Sequence, residues 1–447
     1  MYYQMGDNEY KCPLETVDKR LEDAHRLWHH AQDQYFDPEE FRRSVQNLIQ
    51  TLRTVTFILQ KNKSIIPDFD NWYERWQSKM KADPLMRWMV EARNKIEKQG
   101  DLESKSFVRA EVIASYLDDE CPYMEIPSEL FSGIQAIIKS IPKTILTDYV
   151  RKHGALRIQR RWVENSLPKY ELLEAMAIAY GKISELVHDA HKQLGLTQKI
   201  TIECETGKIF ALSDMSYRMP CMIGHEDIQS LIISLDDGKE LFLKKEALNT
   251  SPIDREELMT RYEFDPAKIM GRDYSTTEEL AGAYFDMIKR VFTRDGHHRA
   301  LMFYLKGTHL VDMTFVEFGS SQEKYIMMRA LSQEAIKLGA DGAILVSEAW
   351  TANPSALKRD QRPSELATRG EALTLTLVTK VDDSIQMQAD IIREGDKIKL
   401  GDTKQHKGGA AFTFAPFYRV WNKIIPDKWL KLEEQLCSEA LNKDSPR

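Results

Sequence analysis

The chain has 447 residues and a mass of 51.8 kDa, a size that predicts two to four domains. Apolar residues make up 42% and charged residues 29% of it, which excludes a disordered or collagen-like protein. The longest apolar runs fall far short of the roughly 18 residues that a membrane span needs, and a net charge of −7 argues against a protein that coats nucleic acid along its whole length.

The first 195 residues are predicted to be helical. The helix over 38–62 has the clearest pattern, because Asp37 suits the N-cap, Pro38 suits the first helical position, and apolar residues then recur at alternating spacings of four and three. Similar apolar stripes predict helices over 14–34, 83–100, 128–140 and 169–194. We therefore expect an all-α helical bundle over residues 14–195.

The hydrophobic period changes from helical to alternating near residue 198. The segments KITIECETGKIFAL and SLIISLDDGKELFL alternate around turns at Thr206-Gly207 and Asp237-Gly238, which predicts a small antiparallel β unit over 198–250. Residues 253–295 are again predicted to be mostly helical.

The remaining chain mixes both patterns. Strands are predicted in ALMFYLK, VDMTFVEF, ADGAILVSEAW, EALTLTLVTK and IQMQADIIRE, and a capping box from Ser320 to Glu323 starts a helix that ends near Gly339. The polar segment 351–370 contains two prolines and is predicted to be a mobile loop. We expect a multidomain chain with an N-terminal all-α bundle, a β connector and a C-terminal α+β domain over 251–447.

One candidate site lies in the segment RWMVEARNKIEKQGDLE, residues 87–103. Arg93 flanks the apolar stripe near a helix C-terminus and is followed by Asn94. An Arg-Asn pair in this position of a long-helix bundle resembles the HEPN superfamily (higher eukaryotes and prokaryotes nucleotide-binding). Active members carry Arg-x4–6-His and act as metal-independent ribonucleases, usually as dimers. The resemblance implies that Arg93 and Asn94 contact phosphate.

The sequence departs from the family motif at the catalytic histidine. Lys98 stands at the shortest spacing, and no histidine occurs between Arg93 and Gly100. Because a lysine is protonated at neutral pH, Lys98 is a poor general base. The resemblance therefore implies the fold and phosphate binding more than cleavage, and enzyme activity stays open. The alternative is an ordinary helix end on which Arg93 pairs with Glu97 one turn later.

A second candidate site is the basic segment YVRKHGALRIQRRWV, residues 149–163. It contains no acidic residue, and a helix would place Arg157 and Arg161 on one face. Arginines bind phosphate and aromatic rings stack on unpaired bases, so the segment suits single-stranded RNA or a tRNA loop. Its predicted RNA-binding residues are Arg151, Lys152, Arg157, Arg160, Arg161 and Trp162. The alternative is a basic surface helix that pairs with an acidic neighbour.

Histidine spacings raise the question of a metal. His25 and His29 are four apart, with Asp33 four further on, and His188 and His191 are three apart near a helix C-terminus, where the dipole favours histidine anyway. No His-Glu-x-x-His or Glu-x-x-His sequence occurs, so we assign no metal and no cofactor. The five cysteines are scattered without a CxxC pair, which favours free thiols in a reducing cytoplasm.

These observations predict an RNA-directed HEPN-like protein of the cytoplasm, in a stress-response or phage-defence setting that the resemblance implies. One alternative is a non-catalytic adaptor that binds other proteins. A further alternative is a helical-bundle metal hydrolase that uses His25, His29, His188 and His191. The expected partners are RNA and either another protein or a second copy of the chain, with no membrane.

Overall fold

The computed structural model describes residues 12–117, 123–126, 134–196, 201–203, 209–225, 229–243, 245–247, 255–353, 363–395, 397–408, 412–427 and 429. The chain divides into two compact units. The N-terminal unit comprises residues 1–111, 123–142 and 157–231, and the C-terminal unit comprises 112–122, 143–156 and 232–447. The predicted turn at Thr206-Gly207, the start of the predicted helix 128–140 and the centre of the predicted loop 351–370 lie outside the described residues.

The α-helices of the described residues are α1 Glu15–Asp33, α2 Pro38–Lys61, α3 Phe69–Ala82, α4 Pro84–Lys98, α5 Ile134–Ser140, α6 Asp148–His153, α7 Leu172–Gln193, α8 Arg255–Tyr262, α9 Pro266–Met270, α10 Thr277–Asp295, α11 Ser321–Lys337 and α12 Ala415–Val420.

The strands are β1 Ser104–Ile113, β2 Tyr123–Ile126, β3 Ala155–Glu164, β4 Thr201–Glu203, β5 Ile209–Ala211, β6 Gln229–Ser234, β7 Lys245–Ala247, β8 Leu301–Lys306, β9 His309–Val316, β10 Gly342–Thr351, β11 Gly370–Thr379, β12 Ile385–Glu394, β13 Lys397–Leu400 and β14 Lys404–Lys407. They form a four-stranded sheet in the order β2-β1-β3-β6, a β4–β5 pair, and an antiparallel sheet in the order β13-β12-β11-β10-β8-β9-β7 with β14 beside β12.

The predicted fold class is confirmed: helices come first, antiparallel sheets follow, and the C-terminal region is α+β. The capping box is also confirmed, because the Ser320 side chain accepts from Glu323 N while the Glu323 carboxylate accepts from Ser320 N. None of the described helices is both long enough and apolar enough to cross a membrane.

The core of the N-terminal unit is built by the helices α1, α2, α3, α4 and α7. Leu48 and Leu52 of α2, Met89 of α4 and Leu186 of α7 are all buried in one apolar cluster with α1. Trp28 of α1 is fully buried there, and its indole Nε1 donates to the Leu173 carbonyl at 3.0 Å. This bond fixes the rotation of α1 against the start of α7, and therefore the direction in which the neighbouring side chains of α1 point.

The large antiparallel sheet forms the core of the C-terminal unit. Alternate residues of β8 pack on opposite faces, as the two-residue period of a strand requires. Phe303 packs in one apolar cluster with Phe285 of α10, whereas Tyr304 packs in another with Met327 of α11 and Phe417 of α12. Helices therefore cover both faces of this sheet.

The prediction that the first 195 residues are helical is wrong over the basic segment 149–163. Only α6 is helical there, and the chain continues as β3. The sequence ALRIQRRWV has the two-residue period of a strand. Ile158, Arg160 and Trp162 are fully buried, while the alternate residues Arg157, Gln159 and Arg161 are half-buried. The basic residues therefore do not form one exposed helix face.

Candidate metal centres

The residues predicted from the HEPN resemblance lie at the end of α4. The Arg93 Nη2 is 2.7 Å from Glu97 Oε1, and Arg93 Nη1 donates to Asn94 Oδ1 at 3.3 Å. Lys98 is exposed on the last turn. Arg93 therefore pairs with Glu97 one helical turn later, as the alternative to a phosphate-binding role predicts.

The residues of the predicted RNA-binding segment have separate surroundings. Arg157 forms an ion pair with Glu111, a buried residue of β1. Arg160 donates to the Phe36 carbonyl at 3.1 Å, and the Trp162 indole donates to the Tyr35 carbonyl at 2.9 Å. Both Arg160 and Trp162 are fully buried, so they support the interior of the N-terminal unit. Arg151 and Lys152 are exposed on α6, in the C-terminal unit, and Arg161 is half-buried.

Two other groups of side chains converge in the N-terminal unit. We name the first the His25 cluster, which contains His25, His29 and Cys221, and the second the His191 cluster, which contains Cys12, Asp18 and His191. In each cluster, one nitrogen, oxygen or sulfur atom of every residue lies within 4.8 Å of the others. Imidazole, thiolate and carboxylate are the ligands that Zn²⁺ takes in proteins.

The His25 cluster joins α1 to the short 3-10 turn Pro220–Met222. His25 and His29 are one turn apart on α1, with ring centroids 4.8 Å apart, and His25 Nε2 is 3.1 Å from Cys221 Sγ. Two buried neighbours position these groups: Trp28, which makes an edge contact with His29, and Met222, which follows Cys221 in the chain.

Burial sets the protonation of the His25 cluster. It is the main reason why the pKa of His25 falls to about 4, and the neighbouring His29 lowers it further. Burial also raises the pKa of the Cys221 thiol. His25 is therefore a neutral imidazole at neutral pH, the form that has a lone pair to donate to a metal.

His225 lies beside the same cluster. Its ring is 4.9 Å from that of Trp28, its Nε2 is 3.0 Å from the Cys221 carbonyl oxygen, and its Nδ1 is buried with no hydrogen-bond partner among the described residues. A buried polar atom without a partner is uncommon. The spacing of His25 and His29 is visible in the sequence, and Cys221-x3-His225 is a second signal that motifs of paired cysteines or of glutamate beside histidine do not include.

The His191 cluster joins the N-terminus of α1 to the C-terminal turn of α7. His191 Nε2 is 3.2 Å from Asp18 Oδ2 and 3.3 Å from Cys12 Sγ, and Cys12 Sγ is 3.4 Å from Asp18 Oδ2. The other ring nitrogen, Nδ1, is 2.8 Å from the Val187 carbonyl oxygen. All three side chains are half-buried.

The protonation of the His191 cluster depends on burial and on Asp18. Burial raises the pKa of Cys12 to about 11, so the residue is a thiol at neutral pH. For His191, burial acts to lower the pKa, but the hydrogen bond and charge of Asp18 outweigh it and leave the pKa raised. The structure therefore brings His191 into a cluster, whereas His188 lies 5.4 Å from the Tyr217 ring, outside both clusters.

The comparisons with known proteins point to one family. The family model described as bacteriophage lambda protein ea47 matches residues 6–439. A curated relative, Protein ea47 of Escherichia phage lambda, is 32% identical over 341 residues, which cover 74% of this chain and 78% of that protein. No solved structure matches the chain.

These matches correct the functional prediction. The HEPN resemblance is wrong, because a different family covers most of the chain. The RNA-directed, ribonuclease-like and defence predictions are wrong as well, because both matches are to the Ea47 family and neither indicates RNA binding or cleavage. The adaptor and metal-hydrolase alternatives find no support in the matches either. The chain belongs to the phage lambda Ea47 family.

Proposed function

We propose that this protein binds a transition-metal ion of the Zn²⁺ class at the His25 cluster, where the ion is a structural centre that fastens the chain around Cys221 to α1. The observation that carries the proposal is the 3.1 Å approach of the Cys221 thiol to the half-buried imidazole of His25, with the imidazole of His29 one turn away. Two imidazoles and one thiolate form a ligand set that Zn²⁺ prefers.

The composition of the cluster supports a metal over an ordinary polar contact. Half-buried imidazoles such as these usually have a carboxylate or backbone partner that offsets the cost of desolvation. The described ligand set of the His25 cluster contains no carboxylate, and the partner of His25 Nε2 is a thiol. A bound metal ion would balance the negative charge of the Cys221 thiolate. It would also accept lone pairs from the thiolate and from the imidazoles.

The distances leave room for a modest adjustment on binding. Ligands of a tetrahedral Zn²⁺ stand about 3.3–3.6 Å apart, given bonds of roughly 2.0–2.3 Å. The His25–Cys221 separation is 3.1 Å, and the other separations in the cluster reach at most 4.8 Å. Binding therefore draws the side chains together by about 1 Å.

His225 is the residue we propose as the fourth ligand. It follows Cys221 by four positions, contacts Trp28 as His29 does, and has a buried Nδ1 without a partner among the described residues. Four protein ligands are typical of a structural zinc site rather than a catalytic one.

A cysteine ligand requires a reduced thiol, which bears on where the protein works. Cys12 and Cys221 are free thiols in the described residues. Thiols stay reduced in the cytoplasm. We therefore keep the cytoplasm as the proposed location.

The test is a metal titration of the full-length chain after removal of metal with a chelator. We expect the Cys221→Ser variant to lose one Zn²⁺ equivalent together with the thiolate-to-cobalt charge-transfer band of that site in the Co²⁺-loaded protein. Substitution of a residue that only hydrogen-bonds to a metal ligand lowers metal affinity by roughly 10–100-fold. Because Cys221 is a ligand itself, Cys221→Ser should lower the Zn²⁺ affinity by more than this. His225→Ala should also weaken binding if His225 is the fourth ligand.

The matched control is His30→Asn, because His30 is an exposed histidine of the same helix outside both clusters. It should bind metal as the wild-type chain does. Unchanged Zn²⁺ stoichiometry and an unchanged Co²⁺ spectrum in Cys221→Ser would overturn the proposed function.

A further inference from the structure

We propose that the His191 cluster is a second and separate metal site, in which Cys12, Asp18 and His191 hold a borderline-soft divalent ion such as Zn²⁺ and leave one coordination position for a solvent molecule. This inference goes beyond the proposed function and does not depend on it, because the two clusters share no ligand.

The three donor atoms already form a nearly equilateral triangle. Its sides are 3.2 Å, 3.3 Å and 3.4 Å, between the nitrogen, sulfur and oxygen atoms of His191, Cys12 and Asp18. Tetrahedral Zn²⁺ requires separations of about 3.3–3.6 Å between such atoms. An ion placed just off the plane of this triangle reaches all three donors with little movement of the side chains.

Neighbouring backbone groups orient two of these donors. The Val187 carbonyl, 2.8 Å from His191 Nδ1, accepts a hydrogen bond that assigns the proton of a neutral imidazole to Nδ1 and leaves the lone pair on Nε2, facing Cys12 and Asp18. The Leu14 N–H donates to Cys12 Sγ at 3.4 Å. Hydrogen bonds of these two kinds surround metal-bound imidazoles and thiolates.

The two clusters are too far apart to share an ion. Asp18 and His25 are seven residues apart on α1, which corresponds to about 10.5 Å along the helix axis. The chain elements that meet α1 also differ, since His191 is at the end of α7 and Cys221 lies in the 3-10 turn. The second site therefore links the beginning of α1 to α7, whereas the His25 cluster links the second half of α1 to the 3-10 turn.

A simple ion pair between His191 and Asp18 is the competing explanation of the same contacts. In that explanation the Cys12 thiol donates a hydrogen bond to Asp18 and no metal is bound. The Cys12→Ser variant separates the two explanations, because it removes the soft ligand and keeps both members of the ion pair.

The experiment counts Zn²⁺ equivalents and records Co²⁺ spectra for the wild-type chain, Cys12→Ser, Cys221→Ser and the double variant. The wild-type chain should bind two equivalents, each single variant one, and the double variant none. Each single variant should also lose about half of the thiolate-to-cobalt absorbance. If Cys12→Ser binds as many Zn²⁺ equivalents as the wild-type chain, the second site is overturned. If Cys221→Ser does, only the proposed function is overturned.

A measurement on the unmodified chain covers the case in which Cys12→Ser does not fold. Alkylation of Cys12 by N-ethylmaleimide, located by mass spectrometry, should be several-fold slower with Zn²⁺ than after removal of Zn²⁺ with a chelator. Labelling of Cys12 at the same rate in both conditions contradicts the second site.

Discussion

Arg160 and Trp162 are fully buried side chains in a segment whose composition resembles a nucleic-acid surface. A list of residue types cannot distinguish an arginine that faces solvent from one that donates to a backbone carbonyl, as Arg160 does to Phe36. The two-residue alternation of apolar side chains was the available signal, and it identifies a strand rather than a helix. In contrast, the pairing of Arg93 with Glu97 follows from helical spacing alone.

Glu171 is another buried charged residue, and its position has a consequence for pH. It is 1% exposed, its Oε2 accepts from Glu174 N at 2.8 Å at the start of α7, and its Oε1 accepts from the Tyr35 hydroxyl at 3.1 Å. Burial raises the pKa of Glu171 to about 7 despite these hydrogen bonds. The folded protein therefore favours the protonated carboxyl group over the ionised one.

The first prediction follows from the direction of this shift. Because the folded-state pKa lies above the unfolded value of about 4.5, the stabilisation is complete below pH 4.5 and is lost as the pH rises through about 7. The free energy of unfolding of the wild-type chain should fall by up to about 3 kcal/mol over this window relative to that of Glu171→Gln. Urea unfolding at several pH values, with a chelator present, measures the difference.

The control for this prediction is Glu91→Gln, which changes an exposed glutamate of α4. Its free energy of unfolding should stay parallel to that of the wild-type chain at every pH. If the Glu171→Gln curve is also parallel to the wild-type curve, ionisation of Glu171 does not limit stability.

Individual helices were predicted well wherever the sequence contains their end signals. Helix α2 begins at Pro38 after Asp37, whose Oδ1 accepts from Glu39 N and Glu40 N at 3.1 and 3.2 Å. Helix α4 begins in the same way at Pro84 after Asp83. The prediction of helix over β1 and β3 is wrong for two reasons: the two-residue alternation of β3 was interpreted as a basic helix, and β1 pairs with β3, which is distant in the chain.

The second prediction concerns the N-terminal cap of α2. Asp37→Ala leaves two backbone N–H groups without their acceptor and should lower the free energy of unfolding by about 1 kcal/mol. Asp37→Asn keeps an oxygen acceptor in the same place and should recover most of that loss. Thermal or urea unfolding of the three chains gives the comparison, and equal stabilities of Asp37→Ala and the wild-type chain would show that the cap is unimportant.

At the scale of the whole molecule, sequence patterns were sufficient for the fold class but not for the clusters. Repeating apolar positions indicate which segments are helices and which are strands, so the order of helical and α+β regions could be predicted. The clusters join residues 12 and 18 to residue 191, and residues 25 and 29 to residue 221. Packing of α1 against α7 and the 3-10 turn creates these proximities, and the local spacings within each segment do not show which segments come together.

The third prediction separates the two units of the chain. Zn²⁺ should slow amide hydrogen exchange in α1, in the end of α7 and in residues 209–225, because both proposed sites lie in the N-terminal unit. Exchange in β10 and β11 of the large sheet should be the same with and without metal. Equal slowing in both units, or slowing in neither, would contradict the placement of the sites.

The wide sequence separation within each cluster has a consequence for the unfolded chain. A coordinated ion closes a loop of 179 residues between Cys12 and His191, and another of 196 residues between His25 and Cys221. Closing long loops restricts the unfolded chain, as a disulfide does in a secreted protein. In a compartment that keeps thiols reduced, metal ions would serve as reversible cross-links. The concentration of free zinc would then set the stability of the N-terminal unit.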